Sequence, residues 1–360
     1  MARNIVRMRQ QITRLGVGFR PHVKTAKCLE VISLLSDNGA LPVTVSTLQE
    51  AEQLAQVGYR DILYAVGMIP NKIARVQALR DRGVDIKVIV DNPEAAAALS
   101  AAAVVSDNPV PVLIEIDSDG HRAGVKPDDV EALRTTAANL SGGVCLGGVL
   151  THAGGSYSSH SQDEIRGYAE RETRAVVDAA EALRKGGYQV DIVSLGSTPS
   201  VLFSDDMTGV TEARAGVFVF FDLVMAGLQV CDVDDIAISV LASVGTVQAD
   251  RGRFIVDAGW TAMSRDRGTS VQKVDQGYGL VCDIAGRPIP DLIMTEANQE
   301  HGVLALREGS TQSLPDLGIG DLVRILPNHA CATAGQHAAY SVIDEEQGGV
   351  VDRWSRFGGW

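Results

Sequence analysis

The sequence predicts an α/β barrel of the TIM type, followed by a mainly β domain. Short β-branched runs alternate with segments of helical periodicity in the first part of the chain. They form about eight strand–helix units, the number that a TIM barrel needs. From about Ile236 the strands are instead separated by Gly- and Asp-rich turns. A chain of 360 residues exceeds one ordinary domain, so we expect a barrel over residues 1–225 and a β domain over 226–360.

The barrel prediction rests on strand candidates with helical segments between them. The segments Gln49–Val57 and Lys72–Arg82 have helical spacing and are followed by Gly58 and Gly83, as helix C-termini often are. Periodicity alone does not separate a closed barrel from an open, doubly wound sheet, which stays the alternative. The predicted strands are Gly18–Val23, Val43–Ser46, Ile62–Val66, Ile86–Val90, Val112–Asp117, Gly147–His152, Val190–Leu195 and Val210–Arg214.

The remainder of the chain is predicted to be a β domain without long amphipathic helices. An aromatic tail containing Trp354, Phe357 and Trp360 closes the sequence. The predicted strands are Ile236–Val247, Phe254–Asp257, Gly279–Asp283 and Leu322–Leu326.

Composition excludes several classes of partner. The net charge of -13 argues against nucleic acids and anionic membrane surfaces, which both attract excess Lys and Arg. No apolar run is long enough to span a bilayer, and the N-terminus lacks the apolar region of a secretory signal. The 5 cysteines are scattered and form no CxxC pair, which is typical of a reducing cytoplasm. We therefore expect a cytoplasmic protein.

Candidate functional residues follow the predicted barrel strands, where TIM-barrel active sites lie. Lys24 ends the first strand and is either a solvated lysine or an amine able to form a Schiff base. Arg122, after the fifth strand, either caps a loop or lies near a cofactor oxygen. His152 ends the sixth strand and is either a core histidine or a ring that packs on a pyridine cofactor.

The segment SLGSTPS, after the seventh strand, is a candidate phosphate site. Ser197 or Thr198 can cap a following helix, with Pro199 at its first position. Helix N-termini bind phosphate, and Gly216 after the eighth strand offers a further backbone donor. An ordinary capped turn is the alternative. Lys24 and a phosphate site at one barrel mouth favour pyridoxal phosphate (PLP) as the cofactor, because PLP accounts for both features.

The segment ILPNHACAT is a candidate metal site. His329 and Cys331 are two residues apart, so in an extended strand their side chains point to one face. Imidazole and thiolate suit Zn²⁺ or a similar divalent ion, and His301 is a possible third contact. A structural role for the pair is the alternative.

Seven motifs together resemble one enzyme family along almost the whole chain. They resemble the fold-type III PLP enzymes of the D-serine dehydratase and D-threonine aldolase group, whose barrel is like that of alanine racemase. The strand that usually precedes the first helix in this family is absent from this sequence. The motifs are RPHVKTAK, LTHAGGSY, GSTP, ARAGVFVFFD, DAGW, NQEHG and PNHACAT.

The resemblance implies a role for each candidate residue. It also implies a homodimer in which the β domain of one subunit covers the barrel mouth of the other. Lys24 would be the Schiff-base lysine and the base at Cα. His152 would stack on the cofactor ring, Tyr157 would approach the pyridine nitrogen, and Arg122 would lie near O3′. The phosphate would be held by Ser197, Thr198, Gly216 and Val217, and the divalent metal by His329 and Cys331.

The resemblance also indicates the reaction. Dehydratases of this group carry His-x-Cys where the aldolases carry His-x-Asp, and Cys331 places this sequence with the dehydratases. We therefore expect conversion of a small D-β-hydroxy amino acid, D-threo-3-hydroxyaspartate or D-serine, to a 2-oxoacid and ammonia. The thiolate favours zinc, with manganese, cobalt and magnesium as alternatives. The alternative functions are a D-threonine aldolase-type lyase, a non-catalytic PLP-binding protein and an alanine racemase, in whose chemistry PNHACAT has no role.

Overall fold

A computed structural model describes residues 1–36, 39, 41–344 and 349–359. It divides the chain into two compact units, each described separately below. The predicted tail residue Trp360 lies outside the described residues. The barrel unit comprises Ile5–Ser159, Asp163–Gly216 and 354–359, and the β unit comprises Met1–Asn4, His160–Gln162 and Val217–Arg353.

Eight parallel strands in the order β1-β8-β7-β6-β5-β4-β3-β2 form the barrel unit. A parallel bridge between His22 and Thr44 joins the segment after β1 to β2 and closes the ring. The TIM-type barrel is therefore confirmed, and every predicted strand is present. The strands are β1 (Gly18–Phe19), β2 (Val43–Val45), β3 (Asp61–Gly67), β4 (Asp85–Val90), β5 (Val110–Ile116), β6 (Val144–Thr151), β7 (Ile192–Leu195) and β8 (Glu212–Ala213).

The strands β1 and β8 are much shorter than predicted. Pro21 has no N–H to donate, which interrupts the regular ladder. Backbone pairing nevertheless continues beyond β1, because the N–H of His22 donates to the carbonyl of Ala215 at 2.8 Å. The N–H of Val23 then donates to the carbonyl of Thr44 at 3.0 Å. The segment that leads into Lys24 is therefore fixed on both sides.

Helices alternate with the barrel strands as the sequence predicted. The helices α3 and α4 end two residues before Gly58 and Gly83, in agreement with glycine C-termini. The helices to this point are α1 (Ala2–Leu15), α2 (Leu29–Ser33), α3 (Leu48–Gln56), α4 (Ile73–Asp81), α5 (Pro93–Ala102), α6 (Val130–Ala138), α7 (Gln162–Lys185) and α8 (Thr198–Phe203).

The β unit contains a closed antiparallel barrel of strand order β10-β13-β12-β11-β14-β9. The strands are β9 (Val240–Gln248), β10 (Arg253–Val256), β11 (Gly279–Cys282), β12 (Pro288–Ala297), β13 (Gly302–Leu306) and β14 (Leu322–Pro327), with β15 (Ala339–Ile343) and β16 (Val350–Ser355) in a separate sheet. Its helices are short: α9 (Leu223–Gly227), α10 (Trp260–Met263) and α11 (Ala330–Ala334).

The C-terminal segment packs on the barrel unit next to the Lys24 segment. The N–H of Phe357 donates to the carbonyl of Lys27 at 2.7 Å. The Nε atom of Arg356 donates to the carbonyl of Ala26 at 3.0 Å, and the Phe357 ring packs against the main core cluster of the barrel unit. Among the residues described, no helix combines the length and the apolar character needed to cross a membrane.

Candidate active site

Lys24 lies at the mouth of the barrel, directly after the paired residue Val23, and is exposed. The nearby Lys27 is engaged elsewhere, because its Nζ atom lies 2.8 Å from Oε1 of the buried Glu50. The charge of Lys24 contributes to lowering the pKa of both His22 and His152, so the three side chains share one mouth. Lys24 is therefore the candidate amine of this site.

His152 directly follows β6, as predicted. Its Nδ1–H donates to the carbonyl of Gly196 at 3.0 Å. Burial is the largest cause that lowers the pKa of His152, to about 4, and the charges of Lys24, Arg122 and Arg214 act in the same direction. The imidazole is therefore neutral near pH 7. The Tyr157 ring lies 6.2 Å from it between centroids, at an interplanar angle of 50°.

Two residues at this mouth were not predicted from the sequence. Arg214 is buried after β8 and donates to the carbonyl of Thr151 at 2.7 Å and to Oγ of Ser194 at 2.6 Å. Burial lowers the pKa of His22 well below its usual value. His22 precedes Lys24 by two residues, so the alternation of an extended segment was the signal that could have found it.

The loop after β7 forms a complete N-cap on α8. Oγ of Ser197 accepts the N–H of Ser200 at 3.1 Å, and the N–H of Ser197 donates to Oγ of Ser200 at 3.0 Å. Because Ser197 is the cap, Thr198 is the first helical residue and Pro199 the second, one position later than predicted. Thr198 is fully buried.

Gly216 lies where a side chain does not fit. A Cβ atom at this position would lie 2.8 Å from the carbonyl oxygen of His22, closer than ordinary contacts allow. The close approach of the His22 backbone therefore accounts for the glycine at this position. Val217 comes next in the chain and begins a buried 3₁₀ turn of the β unit, Val217–Val219.

The extended geometry predicted for His329 and Cys331 is wrong. The strand β14 ends at Pro327, His329 caps α11, and Cys331 lies inside that helix. The buried Asn328 follows the strand, and its Nδ2 atom donates to the carbonyl of Gly277 at 2.7 Å. The helical turn still brings the two side chains together, since a hydrogen bond with Cys331 contributes to the raised pKa of His329.

His329 is held by a carboxylate. Its Nδ1 atom lies 2.9 Å from Oδ2 of Asp266. Burial lowers the pKa of His329, but Asp266 and Cys331 outweigh it and raise the value to about 10. Asp222, fully buried, accepts the N–H of Ala330 at 2.9 Å, so a second carboxylate fixes the backbone between His329 and Cys331.

The described residues contain no group of three or more His, Cys, Asp or Glu side chains arranged to hold a metal ion. His301, the suggested third contact, is exposed. Among His, Cys, Asp and Glu side chains of the described residues, only His329 and Cys331 are therefore candidates to bind a metal here. Any other ligand would be of a different kind.

The fold and the barrel-mouth residues define a fold-type III PLP enzyme. Residues 1–224 match the family described as alanine racemase, N-terminal domain, and residues 237–343 match the putative serine dehydratase domain. The chain belongs to the family of fold-type III PLP enzymes that includes the D-serine and D-threo-3-hydroxyaspartate dehydratases. The resemblance seen in the sequence is therefore confirmed.

Several relatives cover nearly the whole chain. The D-threo-3-hydroxyaspartate dehydratase of Delftia sp. (strain HT23) is 50% identical over 100% of this chain and 95% of its own, and its structure superposes with a TM-score of 0.95. A cysteine-to-alanine mutant of D-threo-3-hydroxyaspartate dehydratase, solved in the metal-free form, is 49% identical, with the same coverage and TM-score. The D-serine dehydratase of Dictyostelium discoideum is 30% identical over 95% of this chain and 90% of its own. The D-threonine aldolase of Filomicrobium marinum is 27% identical, covers 98% of this chain and 91% of its own, and has a TM-score of 0.79.

Proposed function

We propose that this protein is a PLP- and metal-dependent dehydratase that converts a D-β-hydroxy amino acid to a 2-oxoacid and ammonia. D-threo-3-hydroxyaspartate and D-serine are the proposed substrates, as the names of the relatives suggest. The observation that carries the proposal is the position of Cys331 in the helix that begins after His329, whose Nδ1 atom lies 2.9 Å from Oδ2 of Asp266. A thiol at this position distinguishes the His-x-Cys pattern from the His-x-Asp pattern of the aldolases.

The residues at the barrel mouth fit PLP. We propose that the backbone of Gly216, where the close approach of the His22 carbonyl leaves no room for a side chain, contributes to the phosphate site, with Ser197, Thr198 and Val217 as further contacts. The neutral ring of His152 suits stacking on a pyridine ring, with Tyr157 toward the ring nitrogen and Arg122 toward O3′. When bound, PLP supplies an electron sink for a carbanion at Cα. Lys24, at the barrel mouth, would hold the cofactor through its amine and would act as the base toward the proton at Cα.

The pair in the β unit fits a divalent metal. Imidazole and thiolate donors suit zinc, with cobalt as an alternative, while manganese and magnesium prefer harder oxygen ligands. The bond to Asp266 is the kind of support that metal-binding histidines receive. The metal would supply Lewis acidity toward the β-hydroxyl, which otherwise leaves poorly. We therefore propose His329 and Cys331 as the metal ligands.

Two further properties belong to the proposal. The barrel over residues 1–225 and the β domain over 226–360 would act in a homodimer with shared active sites. A cytoplasmic location agrees with the five cysteines, none of which forms a disulfide in the part of the chain that the structure describes.

A substrate panel tests the proposed reaction. The purified enzyme is assayed for oxoacid with D- and L-β-hydroxy amino acids, with and without a chelator. Formation of oxoacid and ammonia from D-threo-3-hydroxyaspartate or D-serine supports a dehydratase. Glycine and an aldehyde from D-threonine would instead indicate an aldolase, and no turnover with bound PLP would indicate a PLP-binding protein.

The Lys24→Ala variant tests the cofactor assignment separately. The wild-type protein should absorb in the visible through its bound cofactor. The variant should lose that band on dialysis, because the covalent bond to the lysine is absent. A dialysed variant with the wild-type spectrum would rule out Lys24 as the attachment point.

A further inference from the structure

Glu172 joins the two loops that carry the proposed cofactor contacts. It lies within α7 and is fully buried, at 0% exposure. Its Oε1 atom accepts the N–H of Ala153 at 2.8 Å and the N–H of Gly196 at 3.1 Å. Ala153 follows His152 in the loop after β6, and Gly196 precedes Ser197 in the loop after β7. One carboxylate oxygen from the helix therefore fixes both loops.

The same two loops also contact each other directly. Nδ1–H of His152 donates to the carbonyl of Gly196 at 3.0 Å. The Oγ atoms of Ser156 and Ser197 are 3.0 Å apart and share a hydrogen bond. The separation between the His152 ring and the Ser197 turn is therefore set by contacts that converge beside Glu172.

The fully buried carboxyl group of Glu172 is the acceptor of two backbone N–H groups. Burial raises the pKa of this carboxyl, and the hydroxyl of Ser200 and the N–H groups of Ala153 and Gly196 offset part of that shift. An apolar side chain would fill the same space without this penalty, but it would leave two buried N–H groups without an acceptor. The carboxylate satisfies both donors where each loop leaves its strand.

We propose that Glu172 is a positioning residue that sets the distance between the ring-binding His152 and the phosphate-binding turn at Ser197. The inference rests on the proposed PLP site. It assigns Glu172 no contact with the cofactor and no proton transfer. Its effect passes through the backbone of Ala153 and Gly196, so its loss should weaken PLP binding before it alters the fold.

The test compares two replacements of Glu172 in the full-length protein. Glu172→Gln keeps a carbonyl oxygen that can accept both N–H groups, whereas Glu172→Met has similar length and no such acceptor. We expect Glu172→Met to bind PLP about tenfold more weakly or worse, the consequence of leaving buried donors unpaired. Glu172→Gln should stay within about threefold of the wild type, since it retains the acceptor. PLP affinity is measured by equilibrium dialysis and by the visible band of the bound cofactor.

Two controls on α7 separate positioning from stability. Leu183→Ala removes a fully buried side chain that makes no hydrogen bond and should lower the melting temperature while PLP affinity is retained. Glu170→Met removes an exposed carboxylate from the same helix and should change neither property. If Glu172→Met does not fold, Glu172→Asp takes its place. The shorter side chain should weaken PLP binding, because it cannot reach both loops.

The outcomes distinguish this inference from the proposed function. Wild-type protein that binds no PLP would contradict both. Wild-type binding together with unchanged affinity in Glu172→Met, or in Glu172→Asp where that replaces it, would contradict the role of Glu172 alone. Equal losses of affinity in Glu172→Met and Leu183→Ala would also overturn it, because both changes would then act through general stability.

Discussion

Oδ2 of Asp266 lies 2.9 Å from Nδ1 of His329. This bond engages one ring nitrogen, so a metal ion would bind the other, Nε2. Carboxylates behind metal-binding histidines fix the ring orientation and increase its basicity. Asp222 adds to this support by accepting the N–H of Ala330, between His329 and Cys331. The proposed ligands therefore start from a fixed geometry.

The first prediction concerns metal affinity. Asp266→Ala should weaken metal binding by roughly 10- to 100-fold, because the His329 ring loses the group that orients it. Affinity is measured by competition with a chromophoric chelator. The matched control is Asp275→Ala, which removes a carboxylate paired with Arg267 in the same unit. Equal affinities in the wild type and Asp266→Ala would show that the bond does not support a metal site.

The second prediction concerns the identity of the ligand. Cys331→Asp should lose most dehydratase activity and regain part of it with Mn²⁺, because carboxylates prefer harder ions than thiolates do. Chelation of the wild-type enzyme should abolish oxoacid formation but leave the visible band of bound PLP. Verified metal-free enzyme that deaminates its substrate at the normal rate would return His329 and Cys331 to a structural role.

The barrel was predictable because its strands carry a local signal. Four of the five residues in Ile86–Val90 are β-branched, a composition that is typical of buried parallel strands. The strands β12 and β13 of the β unit escaped prediction. Pro288 and Pro290 stand at the start of β12, and Asp291 has a positive φ of 57°, so the segment reads as a turn.

The candidate site was predictable where it follows a strand, and not where it depends on tertiary contacts. Lys24 and His152 were predicted as candidates because TIM barrels place functional groups at strand ends, and the structure places both residues after strand segments. Glu172 and Asp266 form hydrogen bonds with residues distant in sequence, so no local sequence pattern identifies them. The approach of His329 to Cys331 was expected for the wrong reason, since a helical turn brings them together.

The third prediction concerns the C-terminal segment. Phe357→Ala should lower the free energy of unfolding of the barrel unit by about 1–3 kcal/mol, since a half-buried aromatic ring leaves the core. It should also increase hydrogen exchange in Ala26–Cys28, because the segment that holds the Lys27 carbonyl becomes looser. Hydrogen exchange measured by mass spectrometry tests both effects. Unchanged exchange in this segment would show that the C-terminal contact does not hold it.

The last prediction concerns the pH dependence of stability in the cofactor-free protein. The pKa of His152 is about 4 in the folded protein, below its usual value of 6.5. At a pH between these two values, His152 is therefore protonated in the unfolded chain and neutral in the folded protein. The contribution of this group to the free energy of unfolding is fully present above about pH 6.5. It falls by about 1.4 kcal/mol per pH unit as the pH drops toward 4.

The His152→Asn variant isolates this contribution, because an amide does not titrate while the other groups remain in both proteins. Between pH 7.5 and pH 5, the wild type should lose about 2 kcal/mol more than the variant, from a window of about 1.5 pH units. The midpoints of urea unfolding at several pH values measure the difference. His22, whose pKa is lowered mainly by burial, titrates in both proteins, and because the charge of His152 is only a minor cause of that lowering, most of its contribution cancels in the comparison. Parallel curves for the two proteins would mean that His152 is protonated as readily in the folded protein as in the unfolded chain, and the lowered pKa of its buried ring would have to be abandoned.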